Sequence, residues 1–160
     1  MADEARAADP SASGARASLP FASPPEAVFA VVTDGWRYAD WVVGAKRVRA
    51  VDDTWPEPGS HFHHEVGVGP FTVRDSTELA AIDPPHRIVL IVKVRPGGMG
   101  RVTVSVAPRD GGSEVLIEEV LVSGPALVLD SWLFRRITML RNLEALKRLR
   151  RIVDGDTAPR

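Results

Sequence analysis

The feature that most constrains this chain is a long amphipathic helix, predicted over residues 125–151, that follows a run of strand-like segments. At about 100° per residue, large apolar side chains fall on one face of this helix, with Ile137 and Met139 at its margins: Leu129, Trp132, Leu133, Leu140 and Leu143. A helix of about seven turns is long for a globular domain. It must bury its apolar stripe, and the only large partner before it is the predicted sheet.

One charged residue interrupts the apolar face of the predicted helix. Arg136 falls near the middle of that face, between Leu133 and Leu140. A charge on the inner face of a helix is costly against a solid apolar core. We therefore expect a cavity between the helix and the sheet, with Arg136 facing into it.

Seven strand segments precede the helix. Alternation and turn residues place them at residues 15–21, 43–51, 60–66, 71–82, 87–94, 101–107 and 114–122. Two short helices follow the first strand, one that Ser23 is expected to cap and one that begins after Thr33 or Asp34. Because short turn-linked strands pair antiparallel, the order predicts an α+β fold. In this fold a curved, seven-stranded antiparallel sheet wraps around the closing helix.

Length and composition predict one domain. The chain has 160 residues, a net charge of −1 and no cysteine. The net charge gives no global electrostatic attraction to nucleic acid or to a membrane. The absence of cysteine excludes disulfides, thiol catalysis and thiolate metal sites. No run approaches the ~18 apolar residues of a membrane span. We expect flexible tails at residues 1–15 and 154–160, a single ligand-binding domain at residues 16–153, and a cytoplasmic protein. The abundance of arginine over lysine suggests a bacterial source.

The most reactive-looking segment is His61-Phe62-His63-His64-Glu65. On a strand, His64 shares a face with Phe62 and Val66, which are expected to join the apolar interior, so His61, His63 and Glu65 should face outward. An interior histidine either acts as a base near neutral pH or is a hydrogen-bonded core residue. Two outward imidazoles on one strand also fit a metal, but only His86 remains elsewhere, and we predict no metal and no cofactor.

Two carboxylates are also placed on apolar faces by strand alternation. Asp75 shares parity with Val73 and Leu79, and Glu119 shares parity with Ile117. Burying either without a partner would be costly, and Arg136 is the expected partner. Such a cluster is either an ion pair that fixes the helix on the sheet or a set of groups that hold the polar end of a ligand.

Aromatic residues complete the candidate site. Trp36, Trp41 and Trp132, together with Tyr38, either line the mouth of a pocket or pack in the core. The predicted ligand-binding residues are therefore Trp36, Trp41, Phe62, His64, Asp75, Glu119, Trp132, Arg136 and Leu140. His64 and Asp75 are also the candidate catalytic residues.

The order of elements, with several local motifs, resembles the helix-grip superfamily of START-like (SRPBCC) proteins. The motifs are Ser23-Pro24-Pro25-Glu26 with the apolar residues after it, Asp34 through Trp41, Pro58-Gly59, Gly67-Val68-Gly69-Pro70, Asp83-Pro84-Pro85 and Gly111-Gly112-Ser113. The resemblance covers residues 16–151. The superfamily includes polyketide cyclase/dehydrase and lipid-transport proteins. It implies that an apolar or amphipathic, lipid- or polyketide-like molecule binds between sheet and helix.

Three functions remain open, because a fold does not choose an activity. The chain is a carrier of such a ligand, or an aromatase/cyclase-type enzyme, or a protein-interaction domain that uses its helices. In the enzyme, His64 or Asp75 would be the base and Arg136 would stabilise an enolate oxygen. The expected partner is a hydrophobic small molecule rather than nucleic acid, and the expected state is a monomer or a homodimer.

Overall fold

The computed structural model describes residues 14–94, 97–124 and 132–155. Its strands are β1 (Ala15–Phe21), β2 (Ala45–Val51), β3 (His61–Val68), β4 (Phe71–Asp83), β5 (Arg87–Val94), β6 (Gly98–Arg109) and β7 (Gly112–Ser123). Its helices are α1 (Pro25–Val32), α2 (Tyr38–Trp41), which follows the 3-10 turn Gly35–Arg37, and α3 (Trp132–Asp154). The predicted order of elements is confirmed, and β6 starts three residues earlier than predicted.

The strands form one antiparallel sheet in the order β1-β7-β6-β5-β4-β3-β2. Each strand from β2 to β7 pairs with the next along the chain, and β1 closes the other edge by pairing with β7. Register shifts at Val48/Ala50 in β2 and at Leu79/Ala81 in β4 are bulges of the kind that bend a sheet. The result is the predicted curved sheet, with α3 packed against β1, β7 and the two short helices.

The hydrophobic core lies between the concave face of the sheet and the second half of α3. Val104 of β6 and Val115 of β7 are fully buried, as strict alternation in these strands predicts. Leu146 and Leu149 of α3 are buried against the same group. This contact fixes where α3 lies on the sheet.

The inward face of α3 differs from the predicted one. Its buried residues are Thr138, Asn142, Ala145, Leu146 and Leu149, at helical spacing. The predicted inner residues Trp132, Leu133, Arg136, Ile137 and Leu140 are exposed, whereas Met139 and Leu143 pack partly against the core. Arg136 and Thr138 are two residues apart and so lie about 200° apart around the helix. The physical reason is that Leu146 and Leu149 in the second half of α3 pack in the core, and this contact sets which side of the helix faces the cavity.

The ends of α3 also revise the predictions. The expected start at Pro125 and the residue Leu129 lie outside the described residues, as do most of the two expected tails. Asp154, expected in the C-terminal tail, is the last residue of α3, and its carboxylate accepts hydrogen bonds from the backbone N–H groups of Ala22 (2.9 Å) and Ser23 (3.0 Å). This contact fastens the end of the helix to the junction between β1 and α1.

Of the caps predicted for the two short helices, one forms and the other does not. Ser23 does not cap α1, whose N-cap is Pro24 without a side-chain hydrogen bond, because Ser23 faces the end of α3 instead. Asp34 does cap the second helical segment, since its Oδ1 accepts a hydrogen bond of 3.0 Å from the N–H of Trp36. The segment thus directs Tyr38 and Trp41 toward the sheet.

Candidate functional site

A cavity of about 430 Å³ lies between the concave face of the sheet and the first half of α3. This volume is within the range of about 300–1,000 Å³ that is typical of small-molecule sites. Most of its wall is apolar and comes from strands β3, β5, β6 and β7 and from α3, including Val66, Leu90, Val92, Val102, Ile117 and Phe134. A polar cluster interrupts this wall.

Four of the predicted ligand-binding residues line the cavity. These are Trp41, His64, Asp75 and Glu119. Phe62 is buried beside them, with its ring 4.5 Å from that of Tyr38 and 5.4 Å from that of His64. The expectation that Phe62 and His64 share the inner face of β3 is therefore confirmed.

The other four predicted site residues do not line the cavity. Trp132, Arg136 and Leu140 lie on the exposed side of α3, for the reason given above. Trp36 is also exposed, because Gly35, rather than Trp36, faces the sheet in the 3-10 turn. The prediction of an inward position is wrong for Trp132, Arg136 and Leu140, and Trp36 neither lines the cavity nor packs in the core.

The first part of the polar cluster is a hydrogen-bonded chain of three side chains. His64 Nε2 lies 3.0 Å from Thr77 Oγ1, and Thr77 also forms a hydrogen bond with the Tyr38 hydroxyl. His64 Nδ1 is buried and has no hydrogen-bond partner within the described part of the chain. A buried N–H without an acceptor is rarer and costlier than an unused lone pair. The pattern therefore assigns the proton to Nε2, which donates to Thr77, and leaves a lone pair on Nδ1.

Burial controls the ionisation of this chain. It lowers the pKa of His64, against the opposing effect of the nearby Asp75 carboxylate, so the imidazole is neutral near pH 7. Burial also raises the pKa of Tyr38 to about 12, although the Arg141 charge and the hydrogen bond with Thr77 oppose the rise. Tyr38 therefore stays a neutral phenol that can donate a hydrogen bond.

The second part of the polar cluster joins α3 to β7. Arg141 Nη2 donates a short hydrogen bond to Glu119 Oε2, and Asn142 Nδ2 donates to the same oxygen at 3.3 Å. The Glu119 side chain is only 7% exposed, whereas the Arg141 side chain is 43% exposed. Arg141 thus occupies the role predicted for Arg136, that of the helix cation opposite a buried carboxylate.

Asp75 has a different cation. It lies directly across from His64 in the register of β3 and β4, and its Oδ1 is 3.5 Å from Lys93 Nζ on β5. The same oxygen accepts a hydrogen bond of 2.7 Å from the N–H of Ser76. The predicted burial of both carboxylates is confirmed, but each pairs with its own cation.

The outer face of β3 carries the remaining histidines of the segment. His61 and His63 point away from the cavity, with nitrogen atoms 3.7 and 3.6 Å from the carboxylate of Asp52. Glu65 on the same face pairs with Arg47 at 2.8 Å, and this hydrogen bond lowers the pKa of Glu65. The predicted division of this strand into two faces is confirmed.

Sequence reasoning missed Thr77, Lys93, Arg141 and Asn142. Thr77 was detectable, because it shares strand parity with Asp75. Asn142 was detectable only through the spacing of Thr138, Asn142 and Ala145, a weaker pattern than the bulky stripe on the opposite side. Nothing in the sequence favours Arg141 over Arg136 once that stripe is taken as the inner face.

Comparison with known proteins identifies relatives of this fold. Residues 15–150 match the profile of the family described as polyketide cyclase/dehydrase and lipid transport. No curated protein matches the sequence. In the described part of the chain, no helix has both the length and the apolar character needed to cross a membrane.

Three solved structures illustrate the similarity. Protein CV1439 from Chromobacterium violaceum superposes with a TM-score of 0.70 at 18% identity, over 89% of this chain and 98% of that one. The di-domain ARO/CYC protein StfQ of the steffimycin pathway gives 0.68 at 12%, over 86% of this chain. The di-domain ARO/CYC protein BexL of the BE-7585A pathway gives 0.67 at 15%, over 92% of this chain. This chain spans 49% of StfQ and 51% of BexL, about half of each.

Proposed function

Because the chain belongs to the polyketide cyclase/dehydrase and lipid transport family, we propose that it binds one amphipathic small molecule, lipid- or polyketide-like, in the cavity under α3. The observation that carries this proposal is the combination of an apolar wall with a buried polar cluster in one space of about 430 Å³. An apolar wall supplies binding free energy, and a few fixed polar groups orient the ligand.

The polar cluster supports a ligand with an oxygen-bearing end. Tyr38 is a neutral donor, and Arg141 keeps donor capacity beyond its bond to Glu119. Val92 and Val102, on the neighbouring strands β5 and β6, offer only apolar contact. A carbonyl or hydroxyl oxygen near Tyr38 or Arg141, on an apolar body along the valines, satisfies both kinds of wall.

The test is ligand binding with a cavity-filling variant. The purified protein is titrated with the fluorescent amphipathic probe anilinonaphthalene sulfonate, and organic extracts of the protein are analysed by mass spectrometry. Val102→Phe places a larger side chain in the cavity and should weaken probe binding on the order of tenfold. Val122→Phe, at an exposed position outside the cavity wall, is the matched control. Equal probe affinity in the two variants would refute binding in this cavity.

A second candidate function, acid–base catalysis on a polyketide-like substrate, has one observation in its favour. His64 is a neutral imidazole on the cavity wall, which is the form that a general base requires. Arg141, in place of the exposed Arg136, would stabilise an enolate oxygen. Against it, the free Nδ1 atom of His64 is shielded. A substrate would have to displace a neighbouring side chain to reach that atom, so we favour binding as the primary function.

The two functions separate in one experiment on His64→Gln. The wild type and the variant are incubated with a linear poly-β-ketone thioester, and products and bound substrate are both measured. Product formation by the wild type that is lost in His64→Gln, with substrate still bound, would establish the enzyme. Unchanged substrate in both samples, with retained affinity, would establish the carrier.

A further inference from the structure

Exposed large apolar side chains lie on two elements that line the same cavity, the hairpin between β3 and β4 and the first half of α3. Phe71, in the hairpin between β3 and β4, is 79% exposed, and Trp132, in the first turn of α3, is 72% exposed. Val68, Leu133, Ile137 and Leu140 are also exposed. We call these six residues the mouth surface. Single exposed apolar residues are ordinary, but a contiguous group of them marks an interaction site.

The mouth surface reaches the wall of the cavity at two of its residues. Val68 and Ile137 are exposed and also line the cavity, whereas lining residues such as Leu90 and Ile117 are buried. Val68 pairs with Phe71 across the hairpin, which brings Phe71 to the same edge. The hairpin and the first half of α3 therefore flank the cavity opening from two sides.

Cations are interspersed with these apolar side chains. Lys46 Nζ donates hydrogen bonds to the carbonyl oxygen of Gly69 (2.6 Å) and to the hydroxyl of Thr72 (2.9 Å), which places the ammonium group at the hairpin turn beside Phe71. Arg136 is exposed between Leu133 and Leu140, and no described carboxylate lies within ion-pair distance of it. The surface thus combines bulky apolar groups with positive charge.

We propose that the mouth surface docks on an anionic phospholipid bilayer. Interfacial helices have this composition, with Trp and Leu entering the boundary of the acyl chains while Arg and Lys reach the phosphates. A second copy of the chain fits less well. A two-fold contact would bring Arg136 and Lys46 of both copies into one interface whose described residues supply no free carboxylate, and unpaired charge there is costly.

Docking in this orientation would turn the cavity opening toward the lipid. An apolar ligand would then move between bilayer and cavity without crossing bulk water. The docking proposal does not depend on what the cavity binds, because the mouth surface lies on the outside of α3 and of the hairpin.

The experiment is flotation of the full chain with lipid vesicles. Vesicles of phosphatidylcholine with phosphatidylserine are compared with vesicles of phosphatidylcholine alone, at low and at raised ionic strength. We expect binding to the anionic vesicles that weakens with salt. Arg136→Gln should lower the partition coefficient about fivefold, since a surface cation contributes about 1 kcal/mol at an anionic bilayer. Trp132→Ser and Phe71→Ser should each lower it on the order of tenfold.

Matched controls lie away from the mouth. Trp36→Ser removes an exposed tryptophan in the 3-10 turn, and Arg87→Gln removes an exposed arginine at the start of β5. Neither should change the partition coefficient, and all variants should keep the wild-type melting temperature. Equal binding to both kinds of vesicle, or none, would overturn the proposal. Self-association of the wild type that Trp132→Ser abolishes would also overturn it and assign the surface to a second copy.

Discussion

Arg141→Met is expected to destabilise the fold by about 2–3 kcal/mol, because it leaves the buried Glu119 carboxylate without its charged partner. Among the described residues, Glu119 would keep the neutral donor Asn142 alone, at 3.3 Å. Removing the carboxylate of the pair instead is expected to destabilise the fold less. In Glu119→Gln the remaining guanidinium, whose side chain is 43% exposed, regains water. We expect about 1 kcal/mol for that variant.

The equivalent change at Arg136 is the matched control. Arg136→Met removes the same charge from the same helix, five residues earlier and on the exposed side. Its free energy of unfolding should stay within about 0.5 kcal/mol of the wild type. For a domain of this size, the Arg141→Met change corresponds to a fall in melting temperature of roughly 5–10 °C.

Urea denaturation followed by circular dichroism measures these differences, and the double variant Glu119→Gln/Arg141→Met measures the coupling. The double variant should be more stable than Arg141→Met alone, since it no longer buries an unpaired charge. If Arg136→Met destabilised the protein as much as Arg141→Met, the assignment of the inner face of α3 would be refuted.

Two further predictions concern the helix face and pH. Leu146→Ala should lower the free energy of unfolding in urea by about 2–5 kcal/mol because Leu146 is fully buried. Leu140→Ala, at an exposed position, should lower it by less than about 1 kcal/mol. Similar losses in the two variants would contradict the packing of α3. Burial lowers the pKa of His64 below its ordinary 6.5, so the unfolded chain takes up a proton that the folded chain does not, and stability should fall as the pH drops below 6.5. In urea titrations at several pH values, His64→Gln should reduce this slope by at most about 1.4 kcal/mol per pH unit; an unchanged slope would argue against a buried neutral imidazole.

The fold was predictable because strand alternation and turn residues are local. Val115 falls on the buried parity of β7, which also places Glu119 inside, and Phe62 does the same for His64 in β3. The partners of these groups were not predictable from local patterns. Arg141 reaches Glu119 across 22 positions of sequence, and only the rotation of α3 decides which helix arginine does so.

The two halves of α3 have different surroundings, and these determine its rotation. Its second half buries Leu146 and Leu149 and so anchors the helix, whereas its first half lines a cavity with Thr138 and Asn142. A hydrophobic stripe marks the apolar side of a helix; it does not show whether the sheet covers that side. In the first half the stripe around Arg136 faces outward, at the cavity mouth. Arg136 would be misplaced on an inner face, but a cation beside Trp and Leu fits the proposed contact with an anionic bilayer.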